Sequence, residues 1–109
     1  MISDLDFSKN NGLIVAIAQD AMTGEILMQA FANAEAVKLT QETHEAHFFS
    51  RSRGTLWHKG EESGNFLPVS EILVDCDGDS VIYKITHNPN LKACHTGERS
   101  CFHKVLLKE

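Results

Sequence analysis

Apolar positions in this chain fall in short runs separated by polar, glycine-marked stretches, the pattern of a small sheet protein rather than a helical bundle. Residues 13–19 (Leu-Ile-Val-Ala-Ile-Ala-Gln) are rich in β-branched side chains and too few for a helix, so they predict a buried strand. Thr23-Gly24 supplies a turn, and residues 25–31 are expected to return as a second strand. Asn33 can cap a helix that runs to about residue 43, with Glu35 in its first turn, where a negative charge complements the free N–H groups. Residues 46–50 predict a short strand ending at Arg51-Ser52-Arg53-Gly54. Residues 57–65, punctuated by Gly60 and Gly64, hold too few apolar side chains for a core and read as a loop of the kind that carries function. Residues 69–74 and 80–86 predict two strands flanking an acidic segment, and Asn88-Pro89-Asn90 breaks the chain before its last part. The elements add up to an α+β architecture: one small domain over residues 1–109, with a mainly antiparallel sheet and one or two helices.

Length and charge narrow the picture. A chain of 109 residues makes one domain and buries on the order of 65% of its unfolded surface, a thin core that a partner subunit could extend. The net charge of −5 argues against electrostatic coating of nucleic acid or anionic membrane, so an anionic substrate has to meet a local basic cluster. Residues 1–6 carry acid where an export signal has a basic region, and the apolar run 13–18 is too short to span a bilayer. Three cysteines cannot all pair, and thiols stay reduced inside the cell, so the expected location is cytoplasmic.

Those cysteines are the candidate chemistry. Cys76 lies within Asp75-Cys76-Asp77-Gly78-Asp79, while Cys94 and Cys101 bracket Cys94-His95-Thr96-Gly97-Glu98-Arg99-Ser100-Cys101. Structural zinc sites close with four protein ligands, whereas catalytic ones hold three and leave a place for water, so three thiolates fit an open site. The spacing of seven between Cys94 and Cys101 is not that of a zinc knuckle, and a free cysteine is often just a small buried hydrophobe. A redox pair is disfavoured because Cys-x-x-Cys is absent.

If residues 75–79 continued a strand, the aspartates would share one face and Cys76 would take the other. Same-face neighbours are then about 6.8 Å apart, too far for three carboxylates to touch one ion. Either Gly78 turns the backbone, or some aspartates act through water, as magnesium allows. A plain solvated acidic turn is the alternative. An EF-hand is excluded, because glycine falls at the fourth loop position and Thr86 stands at the twelfth. Three thiolates and three carboxylates this close oppose one another's ionisation unless cations compensate, which favours a second metal.

Read in order, Gln19-Asp20, Thr23-Gly24-Glu25, Phe49-Ser50-Arg51-Ser52-Arg53, Trp57-His58-Lys59-Gly60-Glu61, Ser63-Gly64-Asn65, Asp75-Cys76-Asp77-Gly78-Asp79, Ala93-Cys94-His95-Thr96-Gly97 and Ser100-Cys101-Phe102 resemble the phosphoribosyl-AMP cyclohydrolases of histidine biosynthesis, in the form without a fused second enzyme. The resemblance runs from about Gly12 to Phe102. It implies an intertwined homodimer with one zinc per subunit at the interface, Cys76 coming from one chain and Cys94 and Cys101 from the other. It also implies a magnesium site at Asp75, Asp77 and Asp79, and hydrolytic opening of the adenine ring of 1-(5-phosphoribosyl)-AMP between N1 and C6 by a zinc-activated water. Leu67, where glutamine is expected, and Lys92, where a small residue or proline is expected, depart from the pattern.

Within that expectation His95 is the candidate proton carrier, since an unperturbed imidazole titrates near pH 6.5. It could equally orient the site. The substrate carries two phosphates, for which Arg51, Arg53 and Lys59 are candidates and Arg99, between two cysteines, a weaker one, arginine forks matching phosphate bidentately. Trp57 could stack on the purine; His58, Ser63 and Asn65 complete the expected substrate-binding set. Two rivals remain: a zinc-stapled interaction module without turnover, and a zinc nucleotide deaminase, which would release ammonia and whose Pro-Cys-x-x-Cys signature is missing here.

Overall fold

A computed structural model describes all residues, 1–109. Two 3-10 turns, Ile2–Asp4 and Phe7–Asn10, lead into strands β1 (Ile14–Asp20) and β2 (Ile26–Ala32), helix α1 (Ala34–Thr43), and strands β3 (His47–Ser50), β4 (Thr55–His58), β5 (Val69–Val74) and β6 (Ser80–Ile85). The six strands form one sheet in the order β4-β3-β2-β1-β6-β5. Only β1 and β6 run parallel; every other neighbouring pair is antiparallel, as the sequence led us to expect.

The alternation in β1 sets the layers. Ile14, Ala16, Ala18 and Asp20 point into the core, while the intervening side chains are half-buried. Helix α1 covers that face with Ala36, Val37 and Thr40, and the core is completed by Leu27, Phe48, Leu67, Val81, Tyr83 and Ile85. Asn33 caps α1 as anticipated, its Oδ1 accepting from Ala36 N–H at 2.8 Å, and His44 ends the helix in the left-handed conformation (φ 60°). Tyr83 is wholly buried and donates its hydroxyl to the carbonyl of His47 at 3.0 Å.

One element departs from expectation. Trp57 and His58, read as loop, belong to strand β4, which pairs with β3 through Phe48↔Trp57 and His47↔His58. β4 is an edge strand with three of its four residues exposed, so it shows no apolar alternation for a sequence pattern to reveal. A second feature is an uncovered apolar tail. The tail from Cys101 onward is exposed and outside any element, with Phe102, Val105, Leu106 and Leu107 at 63, 73, 103 and 83% exposure. No helix is long and apolar enough to cross a membrane.

Candidate active site

The hairpin turn between β5 and β6 builds the acidic site. Asp75 N–H donates to Ser80 O and Gly78 N–H to Asp75 O, both at 2.9 Å, so the strand stops and the chain reverses. Gly78 makes this possible at φ +73°. The carboxylates of Asp75, Asp77 and Asp79 therefore converge, with ligand oxygens all within 4.8 Å of one another, a spacing one divalent cation can bridge. Of the two routes left open by the sequence, the backbone turn is the one taken. Nor does Cys76 lie on an opposite face: its Sγ is 3.8 Å from Asp77 Oδ1. The Asp75 carboxyl is held below the usual range by its hydrogen bond with Asp79 and by the Cys76 N–H. Lys9 reaches over the turn, with Nζ 3.7 Å from Asp79 Oδ2 and 3.3 Å from the Asp77 carbonyl.

Cys94 and Cys101 come together within the last segment of the chain. Thr96 Oγ1 donates to Cys94 Sγ at 3.1 Å. That bond, the Thr96 N–H, and smaller contributions from Cys101 and His103 bring the Cys94 thiol down to about 6, against its partial burial. Partial desolvation of its sulfur and the neighbouring Cys94 push the Cys101 thiol up to about 11, as expected of two sulfurs sharing one proton. Such a pair, one sulfur already anionic, fits a thiophilic cation. Cys76 does not join them, since the aspartate trio is the only group of three potential ligands this close within one chain.

A cleft of about 570 Å³ opens beside Cys94. Of the residues singled out from the sequence, Arg53, Trp57, His58 and Lys59 line it from β4 and its approaches, Ser63 and Asn65 from the following loop, and His95 from the cysteine segment. Trp57 packs one side on Phe48, with ring centroids 5.5 Å apart, and remains 37% exposed. Gly60 allows the loop to fold back, for a Cβ there would sit 2.6 Å from the backbone of Phe66.

Three candidates are placed differently from their expected roles. Arg51 lies outside the cleft lining, its guanidinium 4.6 Å over the ring of Phe31. Lys59 is 8% exposed and sits near the two thiols: burial lowers its ammonium pKa while the charges of Cys101 and Cys94 oppose that. His58 stacks on His47 at 4.3 Å, and both its ring nitrogens face carboxylates, Glu45 at 2.9 Å and Glu61 at 3.2 Å. Lys92, noted only as a departure from pattern, lines the cleft, and its position two before Cys94 was the available signal. The other departure, Leu67, is fully buried and so fills core, not cleft.

Sequence reasoning missed the support beneath the cysteine segment. Asp20, 1% exposed at the end of β1, accepts from Met22 and Thr23 N–H, from His87 Nδ1 at 2.7 Å and from Arg99 Nη2 at 2.9 Å. Burial alone would raise its carboxyl, but the bonds from Thr23, His87 and Met22 carry it well below the usual carboxylate range.

The family model for phosphoribosyl-AMP cyclohydrolase matches residues 28–103. Among curated proteins, the chain is 52% identical over 105 residues to a phosphoribosyl-AMP cyclohydrolase of Nitrosopumilus maritimus, covering 96% of this chain and 95% of that one. It is 57% identical over 96 residues to that of Caulobacter vibrioides, covering 88% and 69% respectively. It is also 54% identical over 97 residues to the histidine biosynthesis bifunctional protein HisIE of Thermus thermophilus, covering 89% of this chain and 44% of the larger protein.

Proposed function

This chain belongs to the phosphoribosyl-AMP cyclohydrolase family, and from that premise we propose how its residues carry out the reaction. The enzyme hydrolyses 1-(5-phosphoribosyl)-AMP in histidine biosynthesis. Ribose on N1 interrupts the neutral aromatic ring and leaves C6 as the carbon of an electrophilic amidine. Water oxygen bonds to C6, the C6–N1 bond breaks with its electron pair leaving on N1, and N1 takes up a proton. C6 keeps its exocyclic nitrogen and becomes a carboxamide; one water is consumed and no ammonia is lost.

Cys94 and Cys101 of one chain, with Cys76 of a second copy, are the proposed zinc ligands, and Asp75, Asp77 and Asp79 the proposed magnesium ligands. Zinc bound there would supply Lewis-acid chemistry, which brings the pKa of water to about 7 in favourable sites. The chain's own groups do the rest. Lys59 offsets the negative charge of the thiolates from its buried position. Trp57 offers its exposed side to the purine, and Arg53 with Lys92 meets phosphate at the cleft mouth, a role Arg51 does not share from its seat on Phe31. Ser63 and Asn65 are the proposed polar contacts of the loop, and His58, its nitrogens engaged by Glu45 and Glu61, holds the end of β4 in place. His95, exposed in the cleft next to Cys94, is the proposed proton carrier to N1.

The observation that carries this reading is the convergence of a thiolate, an aromatic platform and basic side chains on one cleft. Two features support a homodimer with shared zinc sites: the third cysteine stands apart and exposed, and the apolar tail is uncovered. Three unpaired thiols fit a cytoplasmic location.

Incubation with phosphoribosyl-AMP, followed by absorbance, is expected to give ring opening that a chelator abolishes and zinc restores. Turnover indifferent to zinc refutes the metal reading, and ammonia release would point to a deaminase instead. Mixing inactive Cys76→Ala and Cys101→Ala chains should restore roughly a quarter of parental activity, since half the dimers are hybrids and each hybrid holds one intact site. No recovery despite proven exchange refutes sharing.

A further inference from the structure

The segment from residue 88 to residue 101 contains no helix and no strand, yet it must present two sulfurs at a fixed separation. Its shape comes from hydrogen bonds converging on one residue. Each Arg99 side-chain nitrogen finds a partner within the chain: Nε donates to Glu25 Oε1 at 2.6 Å, Nη1 to Asn88 O at 2.6 Å, and Nη2 to Asp20 Oδ2 at 2.9 Å. The backbone on either side is tied down with it. Ser100 Oγ donates to Ile26 O at 2.6 Å and Cys101 N–H to Leu27 O at 2.8 Å, while Ala93 N–H reaches Arg99 O and Cys94 N–H reaches Glu98 O.

We propose that Arg99, anchored on the buried Asp20, forms a clamp that positions Cys94 and Cys101 for zinc, so that the site is organised before the metal arrives. The inference rests on the zinc reading above. Three observations carry it. Asp20 is inaccessible and already hydrogen-bonded by its own turn and by His87, so it is a fixed point on the sheet rather than a mobile surface charge. Arg99 has an intramolecular partner at each of its three nitrogens, which fixes the guanidinium against the chain between the two ligands. The clamp also joins parts of the chain far apart in sequence, the β1 end and the ligand segment, and adds to the bonds that Ser100 and Cys101 make to β2. Ligand-orienting partners beyond the coordinating atoms are typically worth 10–100-fold in metal affinity.

The test measures zinc affinity of the full-length purified protein by competition with a chromophoric chelator, and the visible bands of the cobalt(II)-substituted protein. Asp20→Asn and Arg99→Gln are each expected to weaken zinc binding about 10-fold or more and to alter the cobalt bands. The double variant should cost no more than the worse single one, because either change opens the same clamp. Tyr83→Phe, which removes the core bond to the His47 carbonyl and none of the clamp's bonds, should leave zinc affinity within about twofold of the parent. If Asp20→Asn does not fold, Arg99→Gln decides alone, its side chain being partly exposed. Variants that bind zinc within about twofold of the parent overturn the clamp, as does a Tyr83→Phe chain that loses as much. A parent that takes up neither zinc nor cobalt overturns the metal reading and the clamp with it.

Discussion

Gly78→Ala isolates the geometry that brings the three aspartates together. A Cβ at this position would lie 2.5 Å from the carbonyl oxygen of Asp4 and 3.2 Å from the nitrogen of Asp6, backbone atoms of the N-terminal segment packed against the turn. The residue also sits at φ +73°, where a side chain costs about 1–2 kcal/mol. Pushing the segment away breaks the 2.7 Å bond from Asp6 N–H to Gly78 O, worth about 0.5–1.5 kcal/mol. The sum is about 1.5–3.5 kcal/mol, or roughly 6–14 °C in melting temperature for a domain of this size. Circular dichroism melts at one fixed protein concentration read it, the concentration held because subunit association shifts the midpoint. A second background separates the two terms. In a chain lacking residues 1–8 the clash is gone, so the alanine penalty should fall to the backbone part alone, about 1–2 kcal/mol. A melting temperature within about 2 °C of the parent, or an equal penalty in both backgrounds, would refute the reasoning.

Burial pushes the Tyr83 phenol up to about 12, against the hydrogen bond from Thr40, so the folded chain holds this proton more tightly than the unfolded one. The resulting stability is complete below pH 10 and lost as pH rises toward 12, a loss on the order of 2–3 kcal/mol. Urea unfolding from pH 8 to 11 should therefore show a steeper alkaline decline in the parent than in Tyr83→Phe, and equal slopes contradict the assignment. Gly60→Ala drives a Cβ within 2.6 Å of Phe66 N and Cα and 2.8 Å of Asn65 C at φ +103°, which displaces the loop bearing Ser63 and Asn65. We expect kcat/KM to fall about 10-fold or more with zinc content unchanged, and parental kinetics in a zinc-replete variant would exclude a role for the loop.

What the chain's own order of residues determined was local. The β-branched run of β1, the Asn33 cap and the turn residues of the hairpins act through neighbours a few positions away, so those elements were legible at nearly their observed bounds. The types of chemistry were legible as well, because thiols and clustered carboxylates announce what they can bind wherever they sit. Strand β4 was not, since an exposed edge strand leaves no apolar trace. Likewise the sequence could put Arg51, Arg53, Lys59 and Arg99 on one roster of cations, but it could not tell them apart. Folding separates them by burial and by long-range partners: one over Phe31, one at the cleft, one beside the thiols, and one locked onto a carboxylate 79 residues earlier. Such assignments depend on which surfaces meet when the chain folds, and a side chain's charge carries no information about that until the backbone has brought its counterpart within reach.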